Sequence, residues 1–210
     1  MKAVTRARPG RQQRSRATRA RIVEAAGRLF VRDGYLATTM AAIAAEAGVA
    51  VQSLYLGFGS KLGILSAALD VAIVGDDAPI PLLERNWVRS LVETSDGPRA
   101  VRLFVEQVGQ IMGRTYPLYA VVQAAAASEA GELLAENKRQ RYQGVHAIAT
   151  YLSGKPGFAA GLTVDQAADL LYALASEDHY GLLVVERGWS TEAWGAWCAH
   201  VLSSTLFPPQ

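Results

Sequence analysis

An all-α fold in two parts is what this sequence predicts, and three observations carry the prediction. Apolar residues recur at three- and four-residue spacing through most of the chain, and no stretch alternates apolar and polar for more than a few residues. Charge is divided: residues 1–61 hold eleven Lys or Arg against three acids, whereas residues 62–210 hold ten against sixteen. About nine helices are expected, arranged as a three-helix N-terminal part and a larger helical body. Hydrophobic residues make up 50% of the chain and charged ones 19%, so the sequence can bury a core. With a single cysteine, Cys198, no intrachain disulfide can form. No run approaches the roughly 18 apolar residues of a membrane span, so no membrane partner is expected. The Arg-rich start lacks an apolar segment behind it, which argues against a secretory signal and for a cytoplasmic location.

Taken in order, residues 1–17 are polar and Arg-rich around Pro9-Gly10, and read as a flexible basic arm. Ile22, Ala25, Ala26, Leu29 and Phe30 mark one face of a helix over residues 20–32, with Thr18 as its cap and Asp33-Gly34 as its stop. Thr38-Thr39 caps a short helix over residues 40–47 that Gly48 ends, and Val49 opens another short segment through Leu54, Tyr55 and Phe58. Ser60 caps a fourth helix, from Lys61 toward Val74. Beyond the break at residues 76–81, helices are expected over residues 82–92, 98–114, 117–127, 129–152, 164–187 and from 191 to near the end. Pro117 opens the third of these, Gly154-Lys155-Pro156-Gly157 stops the fourth, Thr163 caps the fifth and Thr191 the last.

Two short helices joined by a glycine turn, with a longer helix behind, meet the physical requirement of a helix-turn-helix. The glycine tolerates the turn's backbone, and Ala44, Ala45 and Ala47 let the helices cross closely. The segment Gly34-Tyr35-x-x-Thr38-Thr39-x-x-x-Ile43-Ala44-x-x-Ala47-Gly48-Val49-x-x-x-x-Leu54-Tyr55-x-x-Phe58-x-Ser60-Lys61 closely resembles the DNA-binding domain of the TetR family of bacterial transcriptional regulators. The resemblance covers residues 18–70 and continues more weakly through the body. It implies a DNA-binding domain over residues 18–62 and a ligand-binding and dimerisation domain over residues 63–210. Where family members commonly carry His and Glu this chain has Gly57 and Leu62, and the usual polar cap of the recognition helix is Ala50.

Candidate DNA contacts follow from side-chain chemistry. Gln52 and Ser53 can hydrogen-bond base edges, and Val51 can meet a thymine methyl. Tyr55, Thr38, Thr39 and Lys61 are placed to meet phosphates. In the body, Trp87, Phe104, Gln107, Met112, Tyr116, Tyr119, Gln123, Tyr142, His146, Leu174 and His179 supply aromatic and polar material for a mixed pocket. Leu170, Leu171, Leu174, Gly181, Leu182 and Val185, with Trp194, Trp197 and Val201, recur on helical faces that suit a dimer seam. Three scattered histidines and the absence of C-x-x-C or H-E-x-x-H make a metal site unexpected, and no phosphate-cradling or nucleophile motif implies a cofactor or an enzyme. The function expected is a homodimeric regulator, a repressor, that leaves a palindromic double-stranded DNA operator on binding a hydrophobic small-molecule effector. The alternative is a small-molecule-binding helical protein whose DNA binding is weak or vestigial, which Ala50, Gly57 and Gly59 favour.

Overall fold

The computed structural model describes residues 10–75 and 81–209, and among these no strand occurs. The chain divides into two compact units, Met1–Leu69 and Asp70–Gln210, so the division falls inside a helix rather than at the expected 62–63.

The first unit begins with α1 (Arg11–Ala37). That start corrects the reading of residues 11–17 as a flexible arm; the rest of the expected arm, residues 1–9, lies outside the described residues. The physical reason is local. Beyond Pro9-Gly10 nothing breaks a helix before Gly27, and Arg, Gln and Ala are all good helix formers. Gly34 (φ 79°, ψ 168°) interrupts α1 where the stop signal lies, and the chain resumes a last helical turn to Ala37. Ile22, Val23, Ala25, Ala26, Leu29 and Phe30 are buried, and Phe30 stacks on Tyr35. Against this face sit α2 (Met40–Ala47) and α3 (Val51–Phe58), followed by α4 (Lys61–Val74). Ser60 accepts from the Gly63 amide at 3.0 Å, the cap that starts α4. A Cβ on Gly63 would stand 2.2 Å from the Phe58 carbonyl oxygen, so only glycine lets the α3–α4 turn close this tightly.

The second unit builds its core from α5 (Asn86–Glu93), α6 (Gly97–Ala125), α7 (Gly131–Ser153), α8 (Val164–Leu174), α9 (Glu177–Tyr180) and α10 (Thr191–Leu206). Leu91, Val101, Phe104, Ile148, Leu152, Leu171, Trp194, Leu202 and Leu206 lie at its centre. Two expected boundaries are corrected. Pro117 does not start a helix; α6 runs through it. An interior proline costs about 3 kcal/mol. The residue whose carbonyl it crowds, four earlier, is Gly113, and Leu118, Tyr119, Val122 and Ala125 beyond it are all buried. Burying a single large apolar side chain stabilises by roughly 1.5–3 kcal/mol, so the burial outweighs that cost. Conversely, the helix expected over residues 164–187 is three segments. It breaks at Ala175-Ser176, restarts as α9, and continues as a π-helical segment, Gly181–Glu186. Ser176 accepts from the His179 amide at 3.2 Å, and Glu177 and Asp178 fill the first turn. That is a helix-start signature which apolar spacing alone overruns. A second π segment, Ala126–Ala130, joins α6 to α7.

Candidate nucleic-acid interface

The turn between α2 and α3 is set by a few residues. Thr39 caps α2, its hydroxyl oxygen accepting from the Ala42 amide at 3.1 Å. Gly48 ends α2 in the left-handed region (φ 64°), with its N–H turned back to the Ala44 and Ala45 carbonyls. A residue with a Cβ is strained there. Ile43, Ala44 and Ala47 face inward, and the chain bends by 105° between α2 and α3. That angle lies within the roughly 90–120° of a helix-turn-helix.

Of α3 only Leu54 is fully buried. Successive side chains on a helix turn by about 100°, so Gln52 and Leu56 point most nearly opposite Leu54. Val51, Gln52, Ser53, Tyr55 and Leu56 are all exposed, Tyr55 at 54% and Leu56 at 83%. The helix thus presents a polar and apolar ridge that its own domain does not cover. Leu56 was not among the expected contacts. Its signal was in the sequence, four residues after Gln52 and out of register with Leu54.

The candidate phosphate contacts separate. Thr38 is 1% exposed and its hydroxyl donates inward, to the Gly34 carbonyl at 2.8 Å and the Leu29 carbonyl at 3.3 Å. It closes the end of α1 and is removed from the set of DNA contacts. Thr39 is exposed, and its hydroxyl proton is not used by the cap. Lys61 is half-buried: its ammonium donates to the Tyr35 carbonyl at 2.8 Å and lies 4.1 Å from the centre of the Tyr35 ring. An ammonium has three donors, and this bond uses one. On α1, Arg28 bonds Glu24 and Glu46, and Arg32 bonds Asp33. The stretch from Arg11 to Arg21 carries five arginines and no acid. Arg19 reaches across to α3, a contact the sequence did not announce.

The sequence pattern of the bacterial regulatory proteins of the tetR family matches residues 22–68, which span the helix-turn-helix just described. Over those residues the chain resembles that family. Its fold is that of TetR-family transcriptional regulators. It is similar to NalD of Pseudomonas aeruginosa, the secondary repressor of the MexAB-OprM multidrug efflux pump, at 20% identity and a TM-score of 0.68 over 94% of this chain and 99% of that one. It is similar to the regulator FadR of Bacillus subtilis, solved with stearoyl-CoA, at 18% identity and a TM-score of 0.67 over 91% and 99%. A transcriptional regulator of Saccharomonospora viridis solved with choline matches at 21% identity and a TM-score of 0.67 over 91% and 98%. No curated protein matches the chain.

The second unit distributes the expected pocket residues over two places. Phe104, Met112, Tyr116 and Tyr119 recur along α6, where Phe104, Met112 and Tyr119 are buried and Tyr116 packs 5.7 Å from Tyr180. Beside them Glu177 pairs with Arg141 at 3.2 Å, both largely buried, and Gln123 donates to Asp178 at 3.1 Å. Burial, with the nearby Glu177 and Asp178 charges, pushes the Tyr119 hydroxyl above its usual pKa, so it remains a donor. His179 is half-buried against Trp197, with Nδ1 buried and unpartnered. Trp87, Gln107 and Leu174 are half-buried. Tyr142 and His146 do not join this group. They bond Asp169 at 3.2 Å and Asp165 at 2.9 Å across the exposed side of α7 and α8.

The expected dimer residues divide as well. Leu171 and Trp194 are fully buried in their own core, and Gly181 lies so close to Tyr116 that an added Cβ would stand 2.5 Å from its hydroxyl. These three are corrected: their faces are already covered. Leu170, Leu174, Trp197 and Val201 are half-buried, whereas Leu182 and Val185 are exposed, together with Trp189, which stacks edge-on to Trp197. Among the described residues no group of three or more His, Cys, Asp or Glu is placed to hold a metal ion, and no single helix is long and apolar enough to cross a membrane.

Proposed function

We propose that the chain is a homodimeric repressor that binds a palindromic double-stranded DNA operator and leaves it when a hydrophobic small molecule enters the second unit. One observation carries the DNA reading: α3 buries only Leu54 and exposes Val51, Gln52, Ser53, Tyr55 and Leu56 beside a 105° bend. An eight-residue ridge of this kind fits a major groove, which admits an α-helix. Gln52 and Ser53 read base edges, Val51 and Leu56 meet thymine methyls, and Thr39, Tyr55 and Lys61 hold phosphates. The reading assigns the chain no catalytic role and places it in the cytoplasm, where its DNA lies.

Support for the effector comes from the aromatic and sulfur side chains along α6 and from the two π segments, which recur at functional sites. The similar structures point the same way, one solved with stearoyl-CoA and one with choline. A ligand that binds only the form unable to hold DNA shifts the equilibrium by its differential affinity. The test is selection from a random duplex pool followed by affinity measurements across salt. Two-fold sequences should emerge, with half-sites about 34–36 Å apart or a multiple of a helical turn. Lys61→Glu should weaken all sequences alike and lower the salt slope, while Gln52→Ala should relax preference at one position per half-site. A pool that shows no enrichment refutes the reading.

A further inference from the structure

The first helix holds the exposed one from behind. Arg19 donates from Nη1 to the carbonyl of Gly57 at 3.2 Å, and its guanidinium carbon lies 4.3 Å from the centre of the Phe58 ring. The Gly57 carbonyl belongs to the last turn of α3, among the four that an α-helix leaves without an intrahelical donor. A cation is favoured there by the helix dipole and by direct bonding to the free carbonyl. The other anchors of α3 are slight. Ala50, at its start, supplies no side-chain acceptor, Leu54 is its one fully buried side chain, and it ends in Gly57-Phe58-Gly59. Helices shorter than about 12 residues do not hold themselves in water, so an eight-residue helix takes its order from what touches it.

We propose that Arg19 is a positioning residue. It fixes the C-terminal turn of α3, and through it the aim of Gln52 and Leu56, and is not itself a phosphate contact. The proposal rests on the reading of α3 as the DNA-contacting helix. It separates Arg19 from the rest of the basic stretch between Arg11 and Arg21, whose charge serves a polyanion in general. It also gives a physical reason for the early start of α1. Arg19 lies in the third turn after Arg11, so the added turns hold its backbone in helical register beneath α3.

Hydrogen exchange on the free, full-length protein reads the bracing without DNA. In Arg19→Ala the amides of residues 55–59 should exchange roughly tenfold faster, while those of α6 and α10 keep their rates. Alanine is the better helix former, so α1 itself survives the change. Arg19→Lys, which keeps a charge and a donor, should restore part of the protection. On duplexes enriched by the wild-type protein, Arg19→Ala should lower affinity several-fold and blur base preference, with the slope of log affinity against log salt unchanged. Loss of a phosphate contact lowers that slope by about 0.9 instead. Unchanged exchange with a lowered slope overturns the proposal and makes Arg19 a phosphate contact; unchanged exchange with unchanged affinity also overturns it. If the wild type enriches no DNA, the DNA reading fails, while exchange in Arg19→Ala still decides whether Arg19 braces α3.

Discussion

Thr38 and Thr39 are adjacent and do opposite things. Thr38 ends α1 from inside, its hydroxyl shared between the Gly34 and Leu29 carbonyls, whereas Thr39 starts α2 from the surface. Thr38→Val should therefore lower stability by about 0.5–1.5 kcal/mol, the net worth of the lost hydrogen bond, with no separate effect on DNA. Thr39→Ala should cost about 1 kcal/mol as a lost cap and weaken DNA binding further if its hydroxyl meets phosphate. Denaturant unfolding beside a DNA titration separates the two effects. Cys198 allows a second prediction at this scale. Fully buried, with its thiol directed to the Leu174 carbonyl at 3.5 Å, it is held by burial at a pKa of about 12. The thiolate is the reactive form, so a maleimide should label native protein very slowly at neutral pH and unfolded protein at the rate of a free thiol. Rapid native labelling would place Cys198 outside the core.

At the scale of elements, irregular helices carry most of what is specific to this chain. The break between α8 and α9 sets Glu177 against Arg141, whose guanidinium also lies 3.7 Å from the Tyr172 ring centre and donates to the Tyr172 and Ala175 carbonyls. One side chain of α7 thereby closes the end of α8. Burial raises the pKa of the Glu177 carboxyl, and the opposing Arg141 charge does not cancel the shift. A carboxyl whose folded value is raised keeps its proton in the folded chain where the unfolded chain has released it. Stability from this group therefore falls as pH rises through the window above 4.5, up to the folded value. The pair does not fully repay its own desolvation. Removing one partner strands the other, so Glu177→Ala should cost about 3–5 kcal/mol. The double variant Arg141→Met, Glu177→Leu should cost less than that single change. Urea denaturation of the single and double variants checks this, and additive losses would show that the pair is not coupled.

For the molecule as a whole, the basic stretch and the candidate dimer seam sit in different units. The basic stretch of α1 and the ridge of α3 belong to the first unit, while Leu182, Val185 and Trp189 are exposed apolar side chains of the second. Apolar exposure of that kind, with Trp189 edge-on to half-buried Trp197, suits an isologous seam in which each protomer covers the other. Light scattering at micromolar concentration should give a dimer mass. The Leu182→Asp, Val185→Asp variant should give a monomer with intact helical circular dichroism, because both side chains lie outside their own core. A monomeric wild type would remove the seam from the proposal.

What the sequence by itself determined is what short-range chemistry controls. Apolar spacing marks α2, α3 and the inner face of α1. Thr39, Gly48, Ser60 and Thr163 each end or start a helix through bonds made within about four residues, and they are legible for that reason. The family pattern is legible for the same reason, since it consists of those caps, turns and core positions at fixed spacing. What the tertiary structure decided is which face a residue meets once distant segments pack. Leu171, Trp194 and Gly181 have the right spacing for a seam but are covered by their own protomer, whereas Trp189 lies outside any apolar period and is exposed. Tyr142 and His146 look like pocket residues in a list of aromatics, yet α8 offers them Asp169 and Asp165 on an outer surface. Arg19 and Gly57 stand 38 positions apart, and no periodicity couples them. Burial and pairing are sums over neighbours brought together by the whole fold, and a local pattern carries only the neighbours that lie within a few turns.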